Sequence, residues 1–184
     1  MEALGRWFRR GASLSDLIGY LWLIVGVQAL VLFGAAIAIR TGFPELSVSG
    51  NTVDFGAEWR TTPHAEVIVL GTMLVPLFEE LVFRYLPLGL TFFVVWAFGL
   101  SHRPLGTALV VGAILLTSLV FGYVHGGIGN VFIQGLAGVT FGIIFAKWSS
   151  FGASCGKGLL ASTIAHGATN AVILGAVVLV VNPH

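Results

Sequence analysis

Charged side chains are scarce in this 184-residue chain: Asp, Glu, Lys and Arg make up only 9% of it, whereas hydrophobic residues make up 57%. Soluble domains carry about 25% charged residues, so the composition excludes an ordinary soluble domain. The net charge of +1 gives no basic surface for nucleic acid. A chain of mean hydropathy +0.96 is therefore expected in a membrane, as helices or as a closed barrel.

Motifs for a protein nucleophile are missing from the apolar segments. Cys155 is the single cysteine, so it forms no internal disulfide, and no neighbouring histidine motif would activate its thiol. The apolar segments contain no Gly-x-Ser-x-Gly sequence and no pair of aspartates. The apolar segments therefore give no support to catalysis by a serine, a cysteine or an aspartate dyad.

Long apolar runs, rather than strict alternation, predict helices that cross the bilayer. The expected fold class is all-α, a polytopic membrane bundle of about six transmembrane helices, at residues 17–39, 65–85, 88–100, 105–124, 131–146 and 159–181. The first run is too long for a typical signal peptide, so a retained helix is favoured. We expect one domain over residues 1–184, with its core at 66–181.

Loop charges predict the orientation of this bundle. Residues 1–16 contain three arginines and are expected in the cytoplasm, and the polar loop at 40–63 is expected outside it. An even number of spans returns the C-terminus to the cytoplasm. Lys147 and Lys157 then lie outside, against the positive-inside tendency.

Glycine is abundant, with 25 residues, many of them inside the apolar runs. Small residues let membrane helices approach closely. Gly135, Gly138 and Gly142 are therefore expected at a helix–helix contact.

Ionisable side chains within the spans carry the functional signal, because each costs at least ~2.5 kcal/mol to insert. Glu80 and Arg84 are four residues apart, so they lie on one helix face and can pair. Glu79 is turned about 100° from Glu80 and has no cation at that spacing. Desolvation of an unpaired glutamate favours general acid–base chemistry.

Two further groups have the same four-residue spacing. Phe121 precedes His125 by one turn, and His166 precedes Asn170 by one turn. Taken singly, such histidines are more often structural. A carboxylate, two imidazoles and an amide together supply a base for water and donors for an oxyanion.

At these residues the sequence resembles the CAAX protease and bacteriocin-processing (CPBP, or Abi) family of intramembrane proteases. That family is marked by Glu-Glu-x-x-x-Arg, Phe-x-x-x-His and His-x-x-x-Asn or Asp on separate helices. The same motifs stand here in the same order, as Glu79-Glu80-x-x-x-Arg84, Phe121-x-x-x-His125 and His166-x-x-x-Asn170. The resemblance covers residues 66–181.

The resemblance implies an intramembrane endopeptidase. In it Glu79 and His125 activate water, His166 and Asn170 stabilise the oxyanion, and Glu80, Arg84 and Phe121 support them. A metal-free glutamic mechanism is favoured, since no His-Glu-x-x-His helix occurs. The alternative is a zinc enzyme with Glu79, His125 and His166 as ligands.

The implied partners are the bilayer and a membrane protein or lipid-anchored peptide as substrate; nucleic acid is not expected. A prokaryotic cell membrane is favoured over the endoplasmic reticulum, because no retention signal is present. Two rival functions stay open. One is a small proton-coupled transporter that uses the same buried groups, and the other is a non-catalytic immunity protein of the same fold.

Overall fold

A computed structural model describes residues 1–10, 12–13, 15–16, 18–20, 22–23, 26, 66 and 69–181; the side chains of residues 129 and 173–181 are not included. In these ranges all regular elements are helical: α1 (Glu2–Arg9), α2 (Leu70–Ala97), α3 (Pro104–Val124), α4 (Ile128–Trp148) and α5 (Cys155–Val181). Helical residues between 15 and 26 bring the total to about six helices. The predicted all-α membrane bundle is confirmed.

Three of the described segments are long and apolar enough to cross a membrane: α2, α3 and residues Asn130–Trp148 of α4. The predicted span at 17–39 and the loop at 40–63 lie mostly or wholly outside the described residues.

Helix α2 corrects the predicted division between residues 85 and 88, because the two apolar runs form one helix. It contains two π-helical turns, Leu70–Leu74 and Leu81–Tyr85, with α-helix after each. Pro87 lies in the first turn of the α-helical segment that follows the second π turn, a position at which a helix tolerates proline. The proline therefore does not end the span.

Merging these two runs changes which loops share an end of the bundle. The Arg9 guanidinium donates to the Ser101 carbonyl oxygen at 2.5 Å, and the Lys147 ammonium donates to the carbonyls of Trp7 and Arg10. Residues 1–10, 98–103 and 147–157 therefore lie together, and we call them the basic end. The expectation that Lys147 and Lys157 lie opposite the N-terminal segment is wrong.

The expected return of the C-terminus to the N-terminal side is also wrong within the described backbone. Helix α5 starts at the basic end and runs for 27 residues, so Val181 lies toward the opposite end. The reason is the same merger of two predicted spans into α2.

Helix α1 is packed into the bundle instead of extending away from it. Phe8 is 2% exposed, and it joins a core cluster from α2, α3 and α4 made of Leu88, Phe92, Val95, Val110, Ile114, Phe145 and Ala146. The Lys147 ammonium lies 4.6 Å from the centre of the Trp7 ring. The contact between Trp7 and Lys147 holds residues 1–10 against the C-terminal end of α4.

Glycines set the spacing between α3 and α4, as expected. A Cβ atom on Gly122 would lie 2.7 Å from the Val131 Cα and 2.8 Å from the Gly135 nitrogen. Gly142 is similarly close to the Ile114 side chain, at 2.8 Å. The helices approach through backbone because these positions carry no side chain.

Two glycines of α3 provide a matched test of this packing. Gly122→Ala places a methyl group against the α4 backbone, and overpacking of this kind costs about 1–3 kcal/mol. Gly112→Ala meets nothing within 4 Å, and alanine is the better helix former. In detergent, we expect the unfolding temperature to fall for Gly122→Ala and to stay level or rise for Gly112→Ala. Equal temperatures for both variants would contradict the close α3–α4 contact.

Candidate active site

Glu79 of α2 lies between two histidines from different helices. Its Oε1 is 3.0 Å from Nε2 of His125, which follows the last residue of α3. Its Oε2 is 3.4 Å from Nε2 of His166 in α5. The structure thus brings together the carboxylate and both imidazoles that the sequence singled out.

His125 is held by its own helix. Its Nδ1 lies 2.7 Å from the Phe121 carbonyl oxygen, and the two rings are 4.2 Å apart. Because a carbonyl can only accept, Nδ1 carries a hydrogen and Nε2 is the atom presented to Glu79. The hydrogen bond to Glu79 raises the pKa of His125, assisted by the bond to Phe121 and opposed by burial.

His166 is held from two sides. Its Nδ1 lies 3.0 Å from Oε1 of Glu80, and its ring stacks on Phe141 of α4 with 4.5 Å between centroids and 17° between planes. Only 4% of its side chain is exposed. Glu80 therefore orients His166 in addition to contacting Arg84.

Glu80 and Arg84 form the expected ion pair, with Nη1 3.6 Å from Oε1 and both side chains fully buried. No guanidinium nitrogen of Arg84 makes a hydrogen bond within the described residues. The Phe121 ring centre lies 4.3 Å from the Arg84 Cζ, which adds a cation–π contact. A Cβ on Gly138 would lie 2.8 Å from Nη2, so that glycine makes room for the cation.

Asn170 makes a contact between helices α5 and α2. Its Nδ2 donates to the Gly71 carbonyl oxygen at 2.9 Å, in the first π turn of α2. Next to it, a Cβ on Gly167 would overlap the Thr72 carbonyl oxygen. Asn170 thus ties α5 to α2, and one of its two amide hydrogens is used in doing so.

Exposure falls steeply across this cluster. The His125 and Glu79 side chains are 26% and 17% exposed, whereas those of Glu80 and Arg84 are fully buried. The Glu79–His125 contact is therefore the open part of the cluster, and the Glu80–Arg84 ion pair is the closed part.

The donor types of Glu79, His125 and His166 suit zinc, and each Nδ1 is fixed by an acceptor, as in many metal sites. In the described part of the chain, however, no group of three or more His, Cys, Asp or Glu has an arrangement that could hold a metal ion. Glu79 instead lies between the two imidazoles, hydrogen-bonded to His125 at 3.0 Å and 3.4 Å from His166.

A cavity of about 520 Å³ lies elsewhere, at the basic end, between α2 and the turn that precedes α5. It contains none of the predicted site residues. Cys155 borders it, and burial raises the pKa of this thiol, which agrees with a cysteine of no catalytic role.

Two contributors to this cluster escaped the sequence reasoning. Phe141 stacks on the His166 ring, and the Asn130 amide donates to the His125 carbonyl oxygen. Helix α4 carries no ionisable residue before Lys147, so a search for buried charge passes over it. The two glycines Gly135 and Gly138 were the available signal, since they predict close packing there.

Comparison with known families agrees with this geometry. The model of the family described as type II CAAX prenyl endopeptidase Rce1-like matches residues 62–172, more than half of the chain. The chain belongs to this Rce1-like family. Searches of curated proteins and of solved structures found no significant match.

Membership in the Rce1-like family identifies the protein, in general terms, as a CAAX-type intramembrane endopeptidase. The matched region contains all three motifs, including Glu79, His125 and His166. The family match confirms the resemblance to the CAAX protease family that the three motifs indicated.

The buried ion pair of this Rce1-like protease predicts a stability pattern. Arg84→Met leaves Glu80 buried beside His166 without its cation, a change that costs about 3–5 kcal/mol. Glu80→Gln combined with Arg84→Met removes both charges and should recover part of that loss. Arg103→Met, at an exposed arginine, is the control. Thermal unfolding in detergent should rank the control first, the double variant second and Arg84→Met last; an unchanged temperature for Arg84→Met would exclude a structural role.

Proposed function

We propose that this endopeptidase cleaves membrane-associated peptides with a water molecule activated by Glu79 and His125. The observation that carries the proposal is the position of the Glu79 carboxylate, 3.0 Å from one imidazole and 3.4 Å from another. Partial exposure of Glu79 and His125 supports it, because a hydrolase must admit water to its base.

The charges of the cluster support a shared proton. Two carboxylates and one guanidinium leave one negative charge, which is costly at this depth. One more proton, held among Glu79, His125 and His166, makes the cluster neutral. Because Phe121 fixes a hydrogen on Nδ1 of His125, the 3.0 Å contact between Nε2 and Glu79 also requires a proton between those atoms.

Hydrolysis in this site follows from that arrangement. A water molecule that enters beside Glu79 gives up a proton to the Glu79–His125 pair as its oxygen attacks the peptide carbonyl carbon. The negative oxygen of the tetrahedral intermediate accepts hydrogen bonds from Nε2 of His166 and from the second amide hydrogen of Asn170. The pair then returns the proton to the leaving nitrogen as the C–N bond breaks, which yields a carboxylic acid and an amine.

Glu80 has a positioning role in this scheme. It accepts from Nδ1 of His166, so His166 can donate to an oxyanion through Nε2 only when the ring is doubly protonated. The proton taken from water supplies the second hydrogen: Glu79, which contacts both imidazoles, can pass it to Nε2 of His166, and both carboxylates favour the resulting imidazolium. Glu80 thus holds the ring in position for the oxyanion before substrate arrives.

A zinc mechanism is the second candidate, and its support is the donor set. If a zinc ion were bound by Glu79, His125 and His166, it would supply a water of lowered pKa. Glu80 and Phe121 would then orient the two imidazoles. The metal-free mechanism is favoured because Glu79 already has a hydrogen bond with His125, and His166 already has one with Glu80.

The first functional prediction compares two adjacent glutamates. Glu79→Gln keeps the size of the side chain but cannot accept a proton, so cleavage should be abolished while the unfolding temperature holds. Glu80→Gln should instead lower the unfolding temperature, because Arg84 loses its counter-ion. Purified protein in liposomes would be assayed with single-span reporter proteins and a prenylated C-terminal peptide. Cleavage by Glu79→Gln would overturn the role given to Glu79.

The second functional prediction separates the metal-free enzyme from the zinc enzyme and the transporter. Activity should survive exhaustive chelation, whereas a zinc enzyme loses activity and recovers it when zinc is restored. A transporter cleaves no reporter and carries a pH-dependent flux in liposomes that Glu79→Gln blocks. Inactivation by chelator with recovery on zinc would show a zinc mechanism in place of the glutamic one. Flux without cleavage would show a transporter in place of a protease.

A further inference from the structure

The positive charges of the described residues lie almost entirely at one end of the bundle. Six of the seven lysines and arginines in the described ranges belong to the basic end: Arg6, Arg9, Arg10, Arg103, Lys147 and Lys157. The seventh, Arg84, is buried against Glu80. Contacts of Arg9 with Ser101 and of Lys147 with Arg10 hold these segments together.

The reactive groups open toward the opposite end. Helix α3 leaves the basic end at Pro104, extends over ~31 Å, and is followed at once by His125. Glu79 lies 18 residues before the end of α2 at Ala97, which returns to the basic end. Exposure decreases from His125 and Glu79 at 26% and 17% to zero at Arg84, so the cluster is more open toward the far end than toward the basic end.

The far end has no cation of its own between α3 and α4. From Pro104 to Ala146 the sequence contains no Asp, Glu, Lys or Arg. The turn beside His125 has Gly126 and Gly127, both with positive φ, followed by Ile128, which is 75% exposed. The exposed positive charges and the Glu79–His125 contact therefore lie toward opposite ends of the bundle.

Membrane proteins retain loops rich in Lys and Arg on the cytoplasmic side. We infer that the basic end is cytoplasmic and that the Glu79–His125 site opens on the extracytoplasmic side of the membrane. This inference rests on the proposed protease function, and it sets the class of substrate. The substrate is a membrane-anchored polypeptide whose scissile bond lies at the extracytoplasmic boundary, such as an exported peptide, and not a prenylated C-terminus in the cytoplasm.

Apolar side chains around the opening fit a substrate that stays in the bilayer. Phe78, next to Glu79, is 67% exposed, and Tyr123, next to Val124 at the end of α3, is 61% exposed. On α4, Phe132 is 65% exposed. An apolar segment of the substrate can lie against these rings while its polar junction reaches the Glu79–His125 contact.

Thiol labelling tests the orientation without any need for activity. The natural thiol is removed by Cys155→Ser, and single cysteines are then placed at Ile128→Cys, beside the site opening, and at Lys157→Cys, at the basic end. Both positions are exposed. In intact spheroplasts of a bacterial host, a charged, membrane-impermeant maleimide should label Ile128→Cys, and Lys157→Cys should react only after the membrane is opened.

The opposite labelling pattern, or protection of both cysteines until the membrane is opened, overturns the inference. Denatured protein, in which both thiols must react, is the control for reagent access. Because the readout is labelling, a failure of the proposed protease function leaves this result intact.

Cleavage of two matched reporters tests the substrate class. They carry the same apolar span and the same polar junction, but they insert in opposite orientations. The reporter with its junction outside the cytoplasm should be cleaved, and Glu79→Gln should lose that cleavage. Cleavage of the cytoplasmic-junction reporter alone would overturn the inference while sparing the proposed function. If neither is cleaved, the proposed function fails and labelling still decides the orientation.

Discussion

The burial of Arg84 within an apolar bundle is the constraint on which the rest of the site depends. A fully buried guanidinium needs a counter-charge, and Glu80 supplies it one turn away. The cation also needs volume and polarisable neighbours, which Gly138 and the Phe121 ring provide. The buried charge of Arg84 therefore constrains the residue type at one position on each of three helices: Glu80 on α2, Phe121 on α3 and Gly138 on α4.

The pairing of Arg84 with Glu80 also determines which ionisable groups of the cluster are left without a permanent counter-charge. Because Glu80 faces both Arg84 and His166, it connects the structural pair to an imidazole that reaches the reactive carboxylate. Glu79, one residue earlier, is turned away from the pair and toward water. The two adjacent glutamates thus have different environments, and environment is what assigns different roles to chemically identical groups.

The π-helical turns help to explain how α2 presents both glutamates. The segment Val75–Glu80 has a π turn on either side, and such turns are frequent at functional sites. The first turn places the Gly71 carbonyl where Asn170 can bind it, with Gly167 allowing the helices to approach. α5, which carries His166, is thereby fixed against the same helix that carries its two glutamate partners.

Sequence reasoning recovered the helical class, the Glu80–Arg84 contact and the group of residues that converge on Glu79, because buried ionisable residues are rare enough to stand out. It missed the continuity of α2, since Pro87 and Gly89 carry the usual signs of a break and a π turn has no sequence signature. It also missed Phe141, whose stacking on His166 depends on how α4 is placed. Which side chains meet between two helices depends on how the helices pack, and the hydrophobic periodicity of one helix does not reveal it.

The same packing explains why hydrolysis is compatible with a bilayer. In the proposed mechanism water must reach Glu79, whereas water at Arg84 would weaken the pair that holds His166 in place, because Coulomb attraction falls as the local dielectric rises. The Phe121 ring contacts both parts of the cluster: its centre is 4.2 Å from that of the His125 ring and 4.3 Å from the Arg84 Cζ. The Phe-x-x-x-His spacing thereby lets one ring pack against His125, which is partly exposed, and against Arg84, which is fully buried.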